Sequence, residues 1–383
     1  MTTVAASVPV LRWAARRSRL HDDELIARFR KWPLWLSGET QPTLRQLENF
    51  ARLTHTAIGY FFLPEPPVLT LPVPDLRTPR DEALAEPSSG LLDTLYLCQQ
   101  RQDWFRDYAR LHGLPVLAFI GSAHERDTPE EVARRMRETL GLSAESRRQL
   151  RTWTEALRQL IAKTEEAGVM VMASSVAGGN SHRKLDAGEF RGFALADDLA
   201  PLIFLNSADS KAAQMFTLAH ELAHLWLGAT GVSDTQAGRV PARQTERWCN
   251  QVAAELLMPL RALHAVYRPD APIPQEIQRL AREFKVSTLV ALRRLFDADF
   301  IDQATLWLRY REEQARLNAL EQRGRGGGDF YNSLGARASK RFARAVLTST
   351  LEGETLFQDA FRMLSVRKST TFYEAARQLG VAA

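Results

Sequence analysis

Apolar positions recur at helical spacing along most of the chain. Near the start, Leu11, Ala14 and Ala15 form one apolar face, Leu25, Ile26 and Phe29 a second, and Leu44, Leu47, Phe50 and Ala51 a third. Residues 1–63 are therefore predicted to form a compact helical module. Between the last two faces lies "KWPLWLSGETQPT", where Pro33 interrupts the pattern and Gly38 marks a turn. Pro42 falls close to a helix start, where its missing N–H costs little. The proline-rich run "FFLPEPPVLTLPVPDLRTPRD" follows and predicts an extended linker over residues 64–87.

From residue 88 to about 165 the pattern is helical again, most clearly in "LLDTLYLCQQRQDWFRDYARLHG" and "ESRRQLRTWTEALRQLIAKTEEAG", with Gly113 and Gly168 as expected helix ends. Two strand signals come next. "GVMVMASSV" is a short run rich in Val and Met, and "EFRGFALADDLAPLIFLN" gives two segments broken by Asp197 and Asp198. A small sheet directly before the helix of "FTLAHELAHLWLG" is the expectation. Beyond it, "TERWCNQVAAELLMP" predicts a helix stopped by Pro259. "IQRLAREFKVSTLVALRRLFDADFID" predicts helix, tight turn, helix. A charged helix through "YREEQARLNALEQR" runs into "GRGGG", an expected hinge, and helical periodicity resumes from Asp329. The expected divisions are 1–63, 64–87, 88–322 and 323–383.

Composition narrows the class. The chain has 383 residues, 45% hydrophobic and 25% charged, with a mean hydropathy of −0.26. That length exceeds one ordinary core, so more than one domain is expected. No apolar run reaches membrane-spanning length, and the N-terminal residues have no apolar stretch ahead of their charges, so neither a membrane anchor nor a secretory leader is expected. Cys98 and Cys249 are the only two cysteines and lie far apart. A disulfide framework is not expected, and a reducing cytoplasm fits. The net charge of +5 permits contact with nucleic acid without requiring it.

The chemistry concentrates in His220, Glu221 and His224. Four residues of helix advance about 400°, so the two histidines share a face and can reach one cation. Glu221, one step away, can set its carboxylate beside water at the metal instead of on the metal. All three sit in an apolar run from Leu218 to Leu227, where such groups are costly without partners. A catalytic zinc needs a third protein ligand. Asp234, Glu246 and Glu255 are the downstream acids. Glu246 is preferred, because it opens a helix on whose face Asn250, Ala253 and Leu257 follow. Glu255 lies on another face and reads as a salt bridge or cap, and Asp234 falls in a loop. Cys249, one turn on from Glu246, reads as a small buried side chain, and His182 as a surface loop residue.

With these residues in view, "MFTLAHELAHLWLG", "ERWCNQVAAELLMP" and "FKVSTLVALRRL" resemble the ImmA/IrrE family of bacterial and phage metallopeptidases. The resemblance spans about residues 165–300. It implies an α+β, mainly helical fold, with a zincin-like core of small sheet plus His-Glu-x-x-His helix flanked by N- and C-terminal helical modules. It also implies one Zn2+ per chain on His220, His224 and Glu246, with Glu221 as general base. Many members carry Glu-Ala-Asn where this chain has "WCN", so the ligand here must be the glutamate four residues before Asn250. The implied activity is zinc-dependent cleavage of a regulatory protein such as a transcriptional repressor, in the cytoplasm.

The first sixty residues resemble an Xre-type helix-turn-helix more loosely, through "LHDDELIARF" and "WLSGETQPTLRQLENFA". Trp32, Leu34 and Trp35 are poor readers of base edges and are expected to pack against another domain. Arg12, Arg16, Arg17, Arg30 and Lys31 are the candidate phosphate contacts. The rival expectation is therefore a DNA-binding transcriptional regulator, of prophage or toxin–antitoxin type, whose zinc site is structural or sensory. The basic residues Arg337, Lys340, Arg341, Arg344, Arg367 and Lys368 are expected to form a solvated face or a domain contact.

Overall fold

A computed structural model of the protein describes residues 2–18, 20–75, 86–143, 149–233, 243–321 and 334–381. The chain divides into two compact units. One comprises residues 1–72 with 79–96, the other 73–78 with 97–383.

In the smaller unit the expected helical faces form α1 (Val8–Arg17), α2 (Asp22–Arg28), α3 (Trp32–Ser37) and α4 (Leu44–Thr54), followed by a 3-10 turn, Ile58–Phe62. Thr43 begins α4 through a capping box. Its hydroxyl accepts from the Gln46 N–H while the Gln46 side chain accepts from the Thr43 N–H. The core is Val10, Leu11, Trp13 and Ala14 from α1 with Leu47 and Phe50 from α4. Three expectations are corrected here. Pro33 opens α3 from within its first turn instead of interrupting a helix, since an N–H there has no partner to lose. Trp32 and Trp35 pack inside their own unit rather than against another domain. Trp32 stacks on Phe50 at 5.2 Å and Trp35 meets the same ring edge-on at 6.4 Å, because a helix this short can bury little except its largest side chains. Ile26 and Leu44, assigned to apolar faces, are exposed.

A long helix, α5 (Ser89–Leu111), groups with the smaller unit up to Tyr96 and with the larger one beyond. The larger unit continues with α6 (Pro129–Thr139), α7 (Trp153–Glu166), β1 (Met170–Ser174), β2 (Gly192–Leu195), β3 (Leu202–Asn206), α8 (Lys211–Trp226), β4 (Gly231–Ser233) and α9 (Gln244–Leu257). Then follow α10 (Leu260–Val266), α11 (Ile273–Phe284), α12 (Thr288–Asp297), α13 (Gln303–Glu321), α14 (Leu334–Ala338), α15 (Lys340–Leu351), α16 (Phe357–Leu364) and α17 (Ser369–Gln378). Gly113 and Gly168 sit at helix ends with φ of 60° and 105°, as expected. The "GRGGG" hinge lies outside the described residues. Among the described residues no helix is long and apolar enough to cross a membrane.

The strands form one mixed sheet in the order β1-β3-β2-β4. β1 runs parallel to β3, and β2 runs antiparallel to both β3 and β4. β2 and β3 are buried at every residue, which is why their sequence reads as unbroken apolar runs and not as alternation. α8 lies on β2 and β3, flanked by α7 and α9, while α14 and α15 pack on β1. The fold is thus mainly helical α+β with a small mixed sheet, as the pattern predicted. β4 is the element the pattern missed. Three residues between a helix end and a polar stretch of sequence carry no periodicity, and only pairing with β2 makes them a strand.

Candidate metal centre

α8 places the centre. Ser210 caps it, accepting from the Ala213 N–H, and every residue from Gln214 to Trp226 is buried. At the far end, Gly121 and Ala123 donate their N–H groups to the Leu225 and Trp226 carbonyls, and Phe119 stacks on Trp226 at 4.3 Å. The carbonyls left over at a helix end are thereby satisfied inside the protein. A helix buried on all sides is fixed in rotation by its neighbours, so His220 and His224 are held to one direction.

α9 crosses that direction and supplies Glu246 from its first turn, buried rather than solvated. The Nε2 atoms of His220 and His224 lie 3.0 Å apart. Glu246 Oε1 is 3.0 Å from His224 Nε2, and its Oε2 is 3.3 Å from His220 Nε2. Among the described residues these three form the only group of histidine, cysteine or acidic side chains with metal-ligand spacing. Asn250, one turn after Glu246, places Oδ1 3.0 Å from His220 Nδ1. An amide oxygen can only accept, so Nδ1 carries the hydrogen and Nε2 presents its lone pair inward. The sequence singles out Asn250 by its spacing from Glu246 and gives it no role at the site. Its signal was position i+4 from Glu246 on one helix face.

Glu221 is fully buried beside this cluster, and neither of its carboxylate oxygens has a well-formed hydrogen bond. Burial raises its pKa well above the ordinary carboxylate range, and the negative charge of Glu246 adds to this. The Ser233 hydroxyl offers only weak relief. Burial would raise Glu246 as well, but its contacts with His220 and His224, which favour the ionised carboxylate, outweigh it and hold Glu246 below its usual range. Burial pushes His224 down toward the neutral form. Ser233, from the strand that periodicity did not reveal, lies 3.5 Å from His224 Nε2. Gly192 on β2 backs the same spot. A Cβ there would stand 2.6 Å from Thr217 Cγ2, 2.9 Å from the Phe204 carbonyl oxygen and 3.3 Å from Glu221 Oε1.

The donor set fits a zinc ion. Nitrogen ligands about 2.0–2.1 Å from a tetrahedral zinc stand about 3.3 Å apart, close to the three separations found. With its tautomer set by Asn250, His220 Nε2 faces inward as an acceptor beside the Glu246 carboxylate; a hydrogen on His224 Nε2 can serve only one of these acceptors, whereas a cation serves all three groups at once.

The other candidates go elsewhere. Glu255 forms an ion pair with Arg294 and accepts from the Leu260 N–H, the salt bridge and cap expected of it. Cys249 is buried and free, His182 is exposed in a loop, and Asp234 lies outside the described residues. In the smaller unit Arg12, Arg16, Arg30 and Lys31 are exposed. Arg17 is half-buried, with its guanidinium 5.0 Å from the Trp13 ring centre and donating to the His55 carbonyl. Among the C-terminal basic residues, Arg341 lies over Phe105, the Arg337 carbonyl accepts from buried Arg101, and Arg344 donates to the Leu379 carbonyl. These three make contacts within the larger unit.

Comparison with known proteins bears on the same region. No curated protein matches the chain. Residues 338–378 match a domain of unknown function, DUF8813. Residues 164–296, from the end of α7 into α12 and including the whole cluster, match the peptidase family model described as the IrrE N-terminal-like domain.

Proposed function

We propose that the chain is a zinc-dependent endopeptidase whose metal is held by His220, His224 and Glu246. The observation that carries this reading is the convergence of those three side chains on one buried point beside the orphaned carboxylate of Glu221. A bound zinc supplies Lewis acidity, polarising a peptide carbonyl and acidifying water near neutral pH. Glu221 accepts a proton on its carboxylate and returns it to the departing amine. Its burial suits it to hold that proton. Asn250 keeps His220 in the tautomer that directs Nε2 inward, and the apolar walls of α8 and β2 exclude competing water.

The substrate proposed is a protein, of the regulatory or repressor class implied by the family resemblance, met in the cytoplasm. The test uses the full chain with Glu221→Gln. Zinc content should stay near one per chain while cleavage of an unstructured protein substrate is lost. Cleavage that survives Glu221→Gln rejects the assignment.

A further inference from the structure

The proline-rich segment before residue 76 lies against the sheet. The Val232 N–H donates to the Pro74 carbonyl at 3.1 Å, and Asp75 forms a parallel bridge with Val232. The opposite side of β4 is taken by β2, so residues 73–75 occupy the sheet's outer edge, within the same compact unit. The next residue of β4, Ser233, faces His224 Nε2 at 3.5 Å. The edge is therefore a backbone track that ends at the candidate metal centre.

The occupant of that track is chemically incomplete. In a parallel ladder a residue that accepts from one N–H also donates to the carbonyl two residues earlier on the neighbouring strand. At position 74 that carbonyl would belong to Thr230. Pro74 has no N–H to give, so it accepts from β4 and returns nothing. An ordinary polypeptide laid on the same edge would make both bonds. The chain holds its own edge with a strand that a general polypeptide can outbid.

We propose that the outer edge of β4 is the docking edge for an extended polypeptide, and that Val73–Asp75 fills it in cis, so that a substrate reaches the centre by displacing the chain's own segment. This rests on the peptidase reading and gives it a built-in restraint. The recognised class is unstructured polypeptide with an unsubstituted amide where Pro74 now sits, bound mainly through its backbone as in strand addition.

The test measures binding without cleavage. The probe is a fluorescein-labelled peptide with the sequence of residues 70–78, alanine replacing both prolines. The host is the full chain with Glu221→Gln, in three forms: the parent linker, Pro74→Ala, and Val73→Gly with Pro74→Gly and Asp75→Gly. Pro74→Ala restores the missing donor and should weaken probe binding about threefold to tenfold, the worth of one net hydrogen bond. The triple glycine variant, whose backbone freedom opposes an extended strand, should bind the probe about tenfold more tightly than the parent. Its Val232 amide should exchange faster, and the probe should slow it again. Equal affinity across the three forms, no binding by any of them, or Val232 exchange indifferent to the probe each overturns the proposal. Binding requires neither Glu221 nor turnover, so such a failure leaves the peptidase reading standing. A protein that passes this test yet never cleaves fails that reading alone.

Discussion

His220 and Asn250 are joined across two helices by a 3.0 Å contact between ring Nδ1 and amide Oδ1. The same turn of α9 that brings Glu246 to the histidines also fixes which nitrogen of His220 presents a lone pair. The candidate ligand and its candidate support therefore come from one helix face, four residues apart. Asn250→Ala should weaken zinc binding about 10–100-fold while leaving the fold intact. Competition against a calibrated chelator, with unfolding followed in parallel, measures both. Unchanged affinity would mean that the tautomer of His220 is held by something else.

Glu246 and Glu255 lie on one helix and should separate by experiment. Glu246→Ala removes the proposed third ligand and should abolish stoichiometric zinc. Glu255→Ala should keep the metal but destabilise the protein by about 1–3 kcal/mol, because buried Arg294 loses its Glu255 partner and keeps only the longer 3.3 Å pair with Asp297 and its bond to the Met258 carbonyl. Metal analysis with denaturant unfolding of each variant decides. Zinc lost from Glu255→Ala and kept by Glu246→Ala would reverse the assignment.

Gly192 has no room for a side chain between β2 and α8. Gly192→Ala should cost about 1–3 kcal/mol by overpacking. It should also impair zinc-dependent activity, since the strain falls on Thr217 and the Glu221 carboxylate. Full stability and activity in this variant would show that α8 can shift away at little cost.

The pairing of α10 with α11 carries a pH dependence of definite sign. Burial works to raise Glu276, but the hydrogen bond and charge of Arg279, with the Arg268 N–H, outweigh it and leave the carboxyl below its ordinary range. A lowered carboxyl contributes stability that is fully present above the unfolded pKa of about 4.3 and is lost as pH falls through the folded value. Glu276→Gln should therefore be less stable than the parent at pH ~7, and the gap should close as pH drops below ~4. Thermal unfolding of both proteins across that range tests it. A gap of constant size would assign the effect to shape and not to charge.

Arg12 and Arg16 are exposed one turn apart on α1, which is the feature that keeps DNA in view as a partner of the smaller unit. If they contact phosphates, replacing both with alanine should lower the slope of log affinity against log salt by about two. Titrating the full chain into duplex DNA at several salt concentrations measures it. An unchanged slope would remove these two residues from any interface.

Much of the molecule was legible in order along the chain. The helix carrying His220, Glu221 and His224, the strands before it, the helix that opens with Glu246 and the tight turn between α11 and α12 all follow from local pattern, because a 3.6-residue period and a buried apolar run are properties of contiguous residues. The preference for Glu246 over Glu255 as the candidate rests on counting helix faces, and the structure brings Glu246 to the two histidines. What the sequence by itself determined was thus which residues could share a face, and which two histidines could share a cation. The tertiary structure decided the rest. It made Gly231–Ser233 a strand and turned Trp32 and Trp35 into the core of their own unit. It set Asn250 on the ring of His220, demanded glycine at 192, and laid Pro74 along the edge of β4. Each of these is a contact between segments from about a dozen to more than a hundred residues apart, set by packing and by the need to satisfy buried polar groups, and no local period records it.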